Sequence, residues 1–111
     1  MDILGIESCG LFVAHAEGEI LGFVQVSIHA TLPFPILVPR RVALVENLAV
    51  REGFRRAGIG RALMDRAQRW AEEKGADDIE LTVYEFNQVA ILFYQSLGYS
   101  TSSHRMDKRL G

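Results

Sequence analysis

The chain has 111 residues, 49% of them hydrophobic and 23% charged, with a formal net charge of −2 and a pI near 5.9. That is the make-up of one globular domain spanning residues 1–111, large enough to fold without disulfide or metal staples, and its charge balance excludes a general nucleic-acid or membrane-surface binder. The lone Cys9 excludes an internal disulfide and suits a reducing compartment; with no zinc spacing, no basic leader and no long apolar run, the expectation is a metal-free cytoplasmic protein.

In chain order, Leu11–Ala14, a Glu17-Gly18-Glu19 turn and the apolar run Ile20–Ile28 predict a β-hairpin. Pro33, Pro35 and Pro39 then interrupt strand formation between Ala30 and Arg41. Arg40 and Arg41 read as a solvated pair or as attraction for an acidic ligand. Val42–Val50 predicts a second long strand, followed by Arg55-Arg56-Ala57-Gly58-Ile59-Gly60-Arg61 and an amphipathic helix over Ile59–Lys74. Ile59, Leu63, Ala67, Trp70 and Ala71 form its apolar stripe, with Trp70 read as core, and Gly75 closes it.

The glycine-arginine stretch has two readings. In one, Gly58 and Gly60 are a flexible helix entry and the arginines a solvated face. In the other, the glycines let backbone N–H groups approach a ligand, the helix dipole points at the same spot and the arginines add charge, which suits a diphosphate-bearing anion. Leu63 holds the third glycine position of a dinucleotide fingerprint and a basic linker intervenes, which weakens a nicotinamide or flavin reading without removing it, while the lack of a Gly-Lys-Ser/Thr run excludes a Walker A loop.

Asp78–Tyr84 alternates as a strand, and Asn87 caps a short helix over Gln88–Leu97 closed by Gly98. Val89-Ala-Ile-Leu-Phe-Tyr94 is apolar nearly all round, which predicts a helix wedged against the sheet. Asn87 and Tyr94 lie about two turns apart on one face, either as cap and core residue or as two contacts to one extended ligand. Tyr99–Leu110 supplies one or two further strands at most, and His15, His29 and His104 are isolated in sequence and read as ordinary surface or core residues. The sum is an α/β fold, a mixed and mainly antiparallel sheet with helices packed on it.

In order, Val45-Glu-Asn-Leu-Ala-Val50, Arg55-x-x-Gly58-x-Gly60 and Asn87-x-x-Ala90-x-x-Phe93-Tyr94-x-x-x-Gly98-Tyr99 resemble the GNAT superfamily of acetyl-CoA-dependent N-acetyltransferases, over roughly Val42–Leu110. The resemblance implies the acyl-CoA N-acyltransferase fold, with two central strands splayed to admit the pantetheine arm. It also marks a departure. Family members usually begin with a strand and one or two helices that wall the acceptor site, whereas this chain reaches its first hairpin within about a dozen residues. The usual N-terminal segment is thus expected to be missing or vestigial, with an abridged gene, a covering partner or an open pocket as alternatives.

The resemblance implies direct transfer from acetyl-CoA to an amine, with no acetyl-enzyme, no metal and no role for Cys9. Glu46 matches the position of a general base, often acting through water, and otherwise is a surface carboxylate. Leu48, Ala49 and Val50 match the strand that binds pantetheine, with the Leu48 N–H polarising the thioester carbonyl. Arg55, Arg56, Ala57, Gly58, Ile59, Gly60 and Arg61 match the pyrophosphate loop, Asn87 a coenzyme contact, and Tyr94 the phenol that meets the leaving thiolate. The acceptor that the resemblance implies is a primary amine of a small molecule or protein. An acetyl-CoA-binding module without transferase activity is the competing reading, and an exposed apolar sheet surface makes a homodimer one expected state.

Overall fold

The computed structural model describes residues 2–32, 40–55 and 58–111. Pro33, Pro35, Pro39, Arg56 and Ala57, each singled out by the sequence, lie outside the described residues. Strands β1 (Asp2–Ala16), β2 (Glu19–Leu32), β3 (Arg40–Val50) and β4 (Asp78–Glu80) form one sheet in that order. β1–β2 and β2–β3 are antiparallel, and β3–β4 is parallel. The two residues between β1 and β2, Glu17 and Gly18, have φ of 52° and 80°. Such paired positive values match the right-handed strand twist, so the predicted turn forms. β1 runs well beyond Leu11–Ala14, and residues 2–10 are part of it.

Helix α1 (Ile59–Glu73) lies across β2, β1 and β3. Its period puts Leu63, Met64, Ala67, Trp70 and Ala71 on one buried stripe, against Val24, Val26 and Ile28 of β2 and Ala43 and Val45 of β3. Trp70 is 8% exposed and meets Phe12 edge to face at 6.2 Å, as a core tryptophan does.

Helix α2 (Gln88–Ser96) departs from expectation. Phe93, Tyr94 and Leu97 pack against the core cluster, but Val89 and Leu92 are 77% and 64% exposed. The helix leans on the core along one edge, with the rest of its apolar surface in water. β4 is also shorter than the alternation of Asp78–Tyr84 suggests, because the ladder with β3 holds only at Val42↔Asp78, Ala43↔Ile79 and Leu44↔Glu80. From Ser100 onward the chain forms no strand and every residue is exposed, so the final strands are absent: Ser100–Ser103 offers no apolar face to bury. Arg40 is solvent-exposed, as the solvated reading expects, and Arg41 is half-buried. The Arg40 guanidinium bonds the Asp78 carboxylate, and the Arg41 N–H donates to Asp77 Oδ2 at 3.0 Å, tying β3 to the start of β4.

Candidate functional site

Beyond Leu44, β3 keeps β2 on one side and has no β4 partner on the other. Residues 45–50 therefore present one edge of backbone N–H and C=O groups that no described strand takes up, the kind of edge an extended ligand can extend as an added strand. Leu48, Ala49 and Val50 are on this segment.

The register of β2 and β3 slips once, from Gln25↔Asn47 to Val26↔Val45. Glu46 is the extra residue of this bulge, a device that re-aims side chains within a sheet. Its carboxylate turns away from α1, toward the other face of β2, where Ser27 and His29 stand two residues apart. Ser27 Oγ donates to Glu46 Oε1 at 2.5 Å, and Ser27 Oγ lies 2.8 Å from His29 Nε2. Asn47 turns to the same side, its Nδ2 donating to Gln25 Oε1 at 2.9 Å. Ser27 and His29 are buried, while the Glu46 side chain is 33% exposed. His29, read from sequence as isolated, thus belongs to a buried polar group with the candidate base.

At the far end of β3 the chain turns through 51–55, where the Phe54 N–H donates to Arg51 O at 3.0 Å and Arg55 Nε donates to Val50 O at 3.3 Å. Gly58 then opens α1 at φ 82°, a left-handed value that a side chain disfavours, and no side chain among the described residues caps the helix. The first helical bond runs from Ala62 N to Gly58 O at 3.0 Å. The N–H groups of Ile59, Gly60 and Arg61 precede it and point out of the helix end, where the dipole is positive.

Gly60 is small for a different reason. A Cβ there would stand 3.3 Å from Phe93 Cζ and 3.8 Å from Val50 Cγ2, so the absence of a side chain lets α1, α2 and β3 meet at one point. The structure therefore brings together Val50, Gly60 and the helix that carries Tyr94. Glu46 lies four residues back along β3, roughly 13 Å at strand rise.

Asn87 caps α2, its Oδ1 accepting from Ala90 N at 3.1 Å, which leaves its amide NH₂ to meet any other group. Tyr94 packs edge to face with Phe93 at 5.2 Å and Tyr99 at 5.9 Å. Burial pushes the Tyr94 phenol up from its ordinary value, and burial with the neighbouring Tyr94 pushes Tyr99 to about 12. Both phenols are protonated donors at neutral pH.

Ser27 and His29 carried one legible signal. With Gln25 they are the polar residues at alternate sites of the stretch Val24–Ala30, whose other residues are apolar, hence on one face. Their link to Glu46 depends on the bulge, which no local pattern announces.

The model of the acetyltransferase (GNAT) family matches residues 2–99. An uncharacterised N-acetyltransferase of Archaeoglobus fulgidus is 35% identical over 94 residues, 85% of this chain and 62% of that protein. Among solved structures, a mutant of the BH1408 protein of Bacillus halodurans has a TM-score of 0.86 at 30% identity, covering 94% of this chain and 67% of that one. Aminoglycoside N-acetyltransferase AAC(6′)-Iy in complex with CoA has a TM-score of 0.80 at 24% identity, covering 94% and 68%, and shares the fold. The chain spans from 28% to 62% of the length of the curated relatives it matches.

Proposed function

Because the chain belongs to the acetyltransferase (GNAT) family, we propose that it transfers the acetyl group of acetyl-CoA directly to a primary amine of a small molecule or protein. One observation carries the reading: β3 loses its β4 neighbour after Leu44, and α1 begins uncapped just beyond the end of that open edge. An extended arm ending in a diphosphate needs both, a strand edge for its amides and a cluster of N–H donors for its phosphates.

In this reading Leu48–Val50 hold the pantetheine arm, and the N–H groups of Ile59, Gly60 and Arg61 hold the pyrophosphate, with Arg55 and Arg61 adding charge. Arg56, Ala57 and Asn87 are assigned to the same coenzyme by family resemblance. Glu46 removes a proton from the incoming ammonium, directly or through water. The neutral amine attacks the thioester carbonyl, which the Leu48 N–H polarises; the C–N bond forms, the C–S bond breaks, and the surplus proton on the nitrogen passes to the departing thiolate or to solvent, leaving the amide and the CoA thiol.

Tyr94 donates a hydrogen bond to that thiolate. A thiol loses its proton near ~8.5 and tyrosine near ~10, so full transfer from a phenol already pushed upward is uphill, and stabilisation by the hydrogen bond is what Tyr94 supplies. Tyr94→Phe should lower kcat by about 10-fold, the size of one charge-assisted hydrogen bond, with little change in acetyl-CoA affinity. Steady-state kinetics beside calorimetric binding checks this, and an unchanged kcat removes Tyr94 from the mechanism.

Thermal unfolding with excess acetyl-CoA tests the donor site. Ligand at about 100 times its dissociation constant adds roughly 2.7 kcal/mol, a rise in midpoint on the order of 10 °C for a domain near this size. No shift would overturn the reading. A shift without acetyl transfer to any of a panel of amines would make the chain a coenzyme-binding module.

A further inference from the structure

We propose that Ser27 and His29 are positioning residues for the Glu46 carboxylate, forming a one-way donor chain that fixes which oxygen of the base faces the acceptor. The proposal rests on the reading of Glu46 as the base. A carboxylate in its ionised form only accepts hydrogen bonds, so the single Ser27 hydroxyl proton lies on the 2.5 Å contact to Glu46 Oε1. With that proton committed, Ser27 Oγ can only accept at its 2.8 Å contact with His29, and Nε2 must be the protonated nitrogen of the ring. The chain runs from His29 Nε2–H to Ser27 Oγ–H to Glu46 Oε1. Each bond polarises the next, and both donors are buried, with Ser27 1% and His29 7% exposed.

Two consequences follow from the direction of the chain. First, Oε1 is occupied and the carboxylate plane is held, so Oε2 is left for the acceptor amine or its bridging water. The bulge supplies the geometry: it inserts Glu46 opposite the Ser27 side of β2, and the side chain keeps one third of its surface open. Second, the chain does not carry the proton onward. Ser27 Oγ already receives the His29 N–H, and the remaining ring nitrogen, Nδ1, is buried with no partner among the described residues. A proton taken by Glu46 leaves toward solvent through its own exposed edge. His29 and Ser27 therefore set orientation, as the outer partner of a catalytic group commonly does.

The test combines kinetics, binding and the state of the ring. Ser27→Ala and His29→Leu should each lower kcat by about 10- to 100-fold, the range expected of a misplaced catalytic group, with acetyl-CoA affinity by calorimetry unchanged. Ser27→Thr restores the hydroxyl, and His29→Gln places an amide N–H near the Nε2 position; each should recover most of the loss. Long-range ¹H–¹⁵N spectra of the wild-type chain should show His29 as the Nε2–H tautomer, assigned by the signal absent in His29→Gln.

An Nδ1–H tautomer, a Ser27→Ala variant with full kcat, or a parallel fall in acetyl-CoA affinity would overturn the proposal. These outcomes are separable from failure of the transferase reading. A wild-type chain that binds acetyl-CoA and acetylates nothing removes that reading and this role together, whereas an active wild type with an equally active Ser27→Ala variant removes the positioning role alone.

Discussion

Glu46→Gln should lower kcat by about 10²- to 10⁴-fold at neutral pH, the usual contribution of a general base. The substitution isolates the base because glutamine keeps the length of the side chain and a carbonyl oxygen that can still accept from Ser27. The bulge and the buried polar group should survive, and with them the fold and the donor site. The deficit should also depend on pH in a defined direction. An alkyl ammonium has a pKa near ~10.4, so at pH 7 less than about one acceptor in a thousand is the neutral nucleophile. As pH approaches that value the amine loses its proton to solvent and the need for Glu46 shrinks, so the gap between wild type and variant should narrow from pH 7 to pH 10. Rates of acetyl transfer across that range check both claims. An unchanged kcat at pH 7 would return Glu46 to the surface carboxylate that its alternating strand also allows. A deficit constant with pH would mean that Glu46 orients the acceptor without removing its proton.

Elements whose signal is local were legible in the sequence. Leu63, Ala67, Trp70 and Ala71 recur at helical spacing and are buried together, and Glu17-Gly18 makes the turn that joins two apolar runs. The family pattern also lies in contiguous stretches and could be read directly, as could the uncapped glycine entry to α1.

What escaped depends on partners distant in sequence. Asp78–Tyr84 has the alternation of a strand throughout, yet only Asp78–Glu80 finds a neighbour, because β3 and β4 part after Leu44. The run Val89–Tyr94 is apolar whichever way the helix faces, so composition cannot say that Val89 and Leu92 meet water. His29 and Glu46 are separated by 17 positions and joined through Ser27 only because one residue is inserted into β3; without the register slip every side chain beyond it would sit on the opposite face.

Gly60→Val should weaken acetyl-CoA binding by about 100-fold or more, roughly 2.7 kcal/mol, with the fold retained. Two effects act together. The Cβ alone would stand 3.3 Å from the Phe93 ring, tighter than ordinary contact, and the two γ-methyls of valine extend further into the junction of α1, α2 and β3. Phe93 must then move, and α2 carries both Asn87 and Tyr94 with it. In addition, Gly60 lies in the first turn of α1, among the N–H groups assigned to the pyrophosphate, and a branched side chain there crowds their approach. The fully buried stripe of α1 starts at Leu63, nearly a turn further on, so those contacts are kept, and the unfolding midpoint of the free chain should fall only by what the displaced Phe93 edge of the core contributes. Gly60→Ala separates the effects: it adds only the Cβ, which a small shift of the Phe93 ring tip can relieve, and should cost far less affinity. Isothermal calorimetry of both variants, with thermal unfolding as the control, checks the ordering. Normal affinity in Gly60→Val would place the phosphates elsewhere on the molecule, whereas equal losses in the alanine and valine variants would assign the whole effect to the first carbon and to the packing of Phe93.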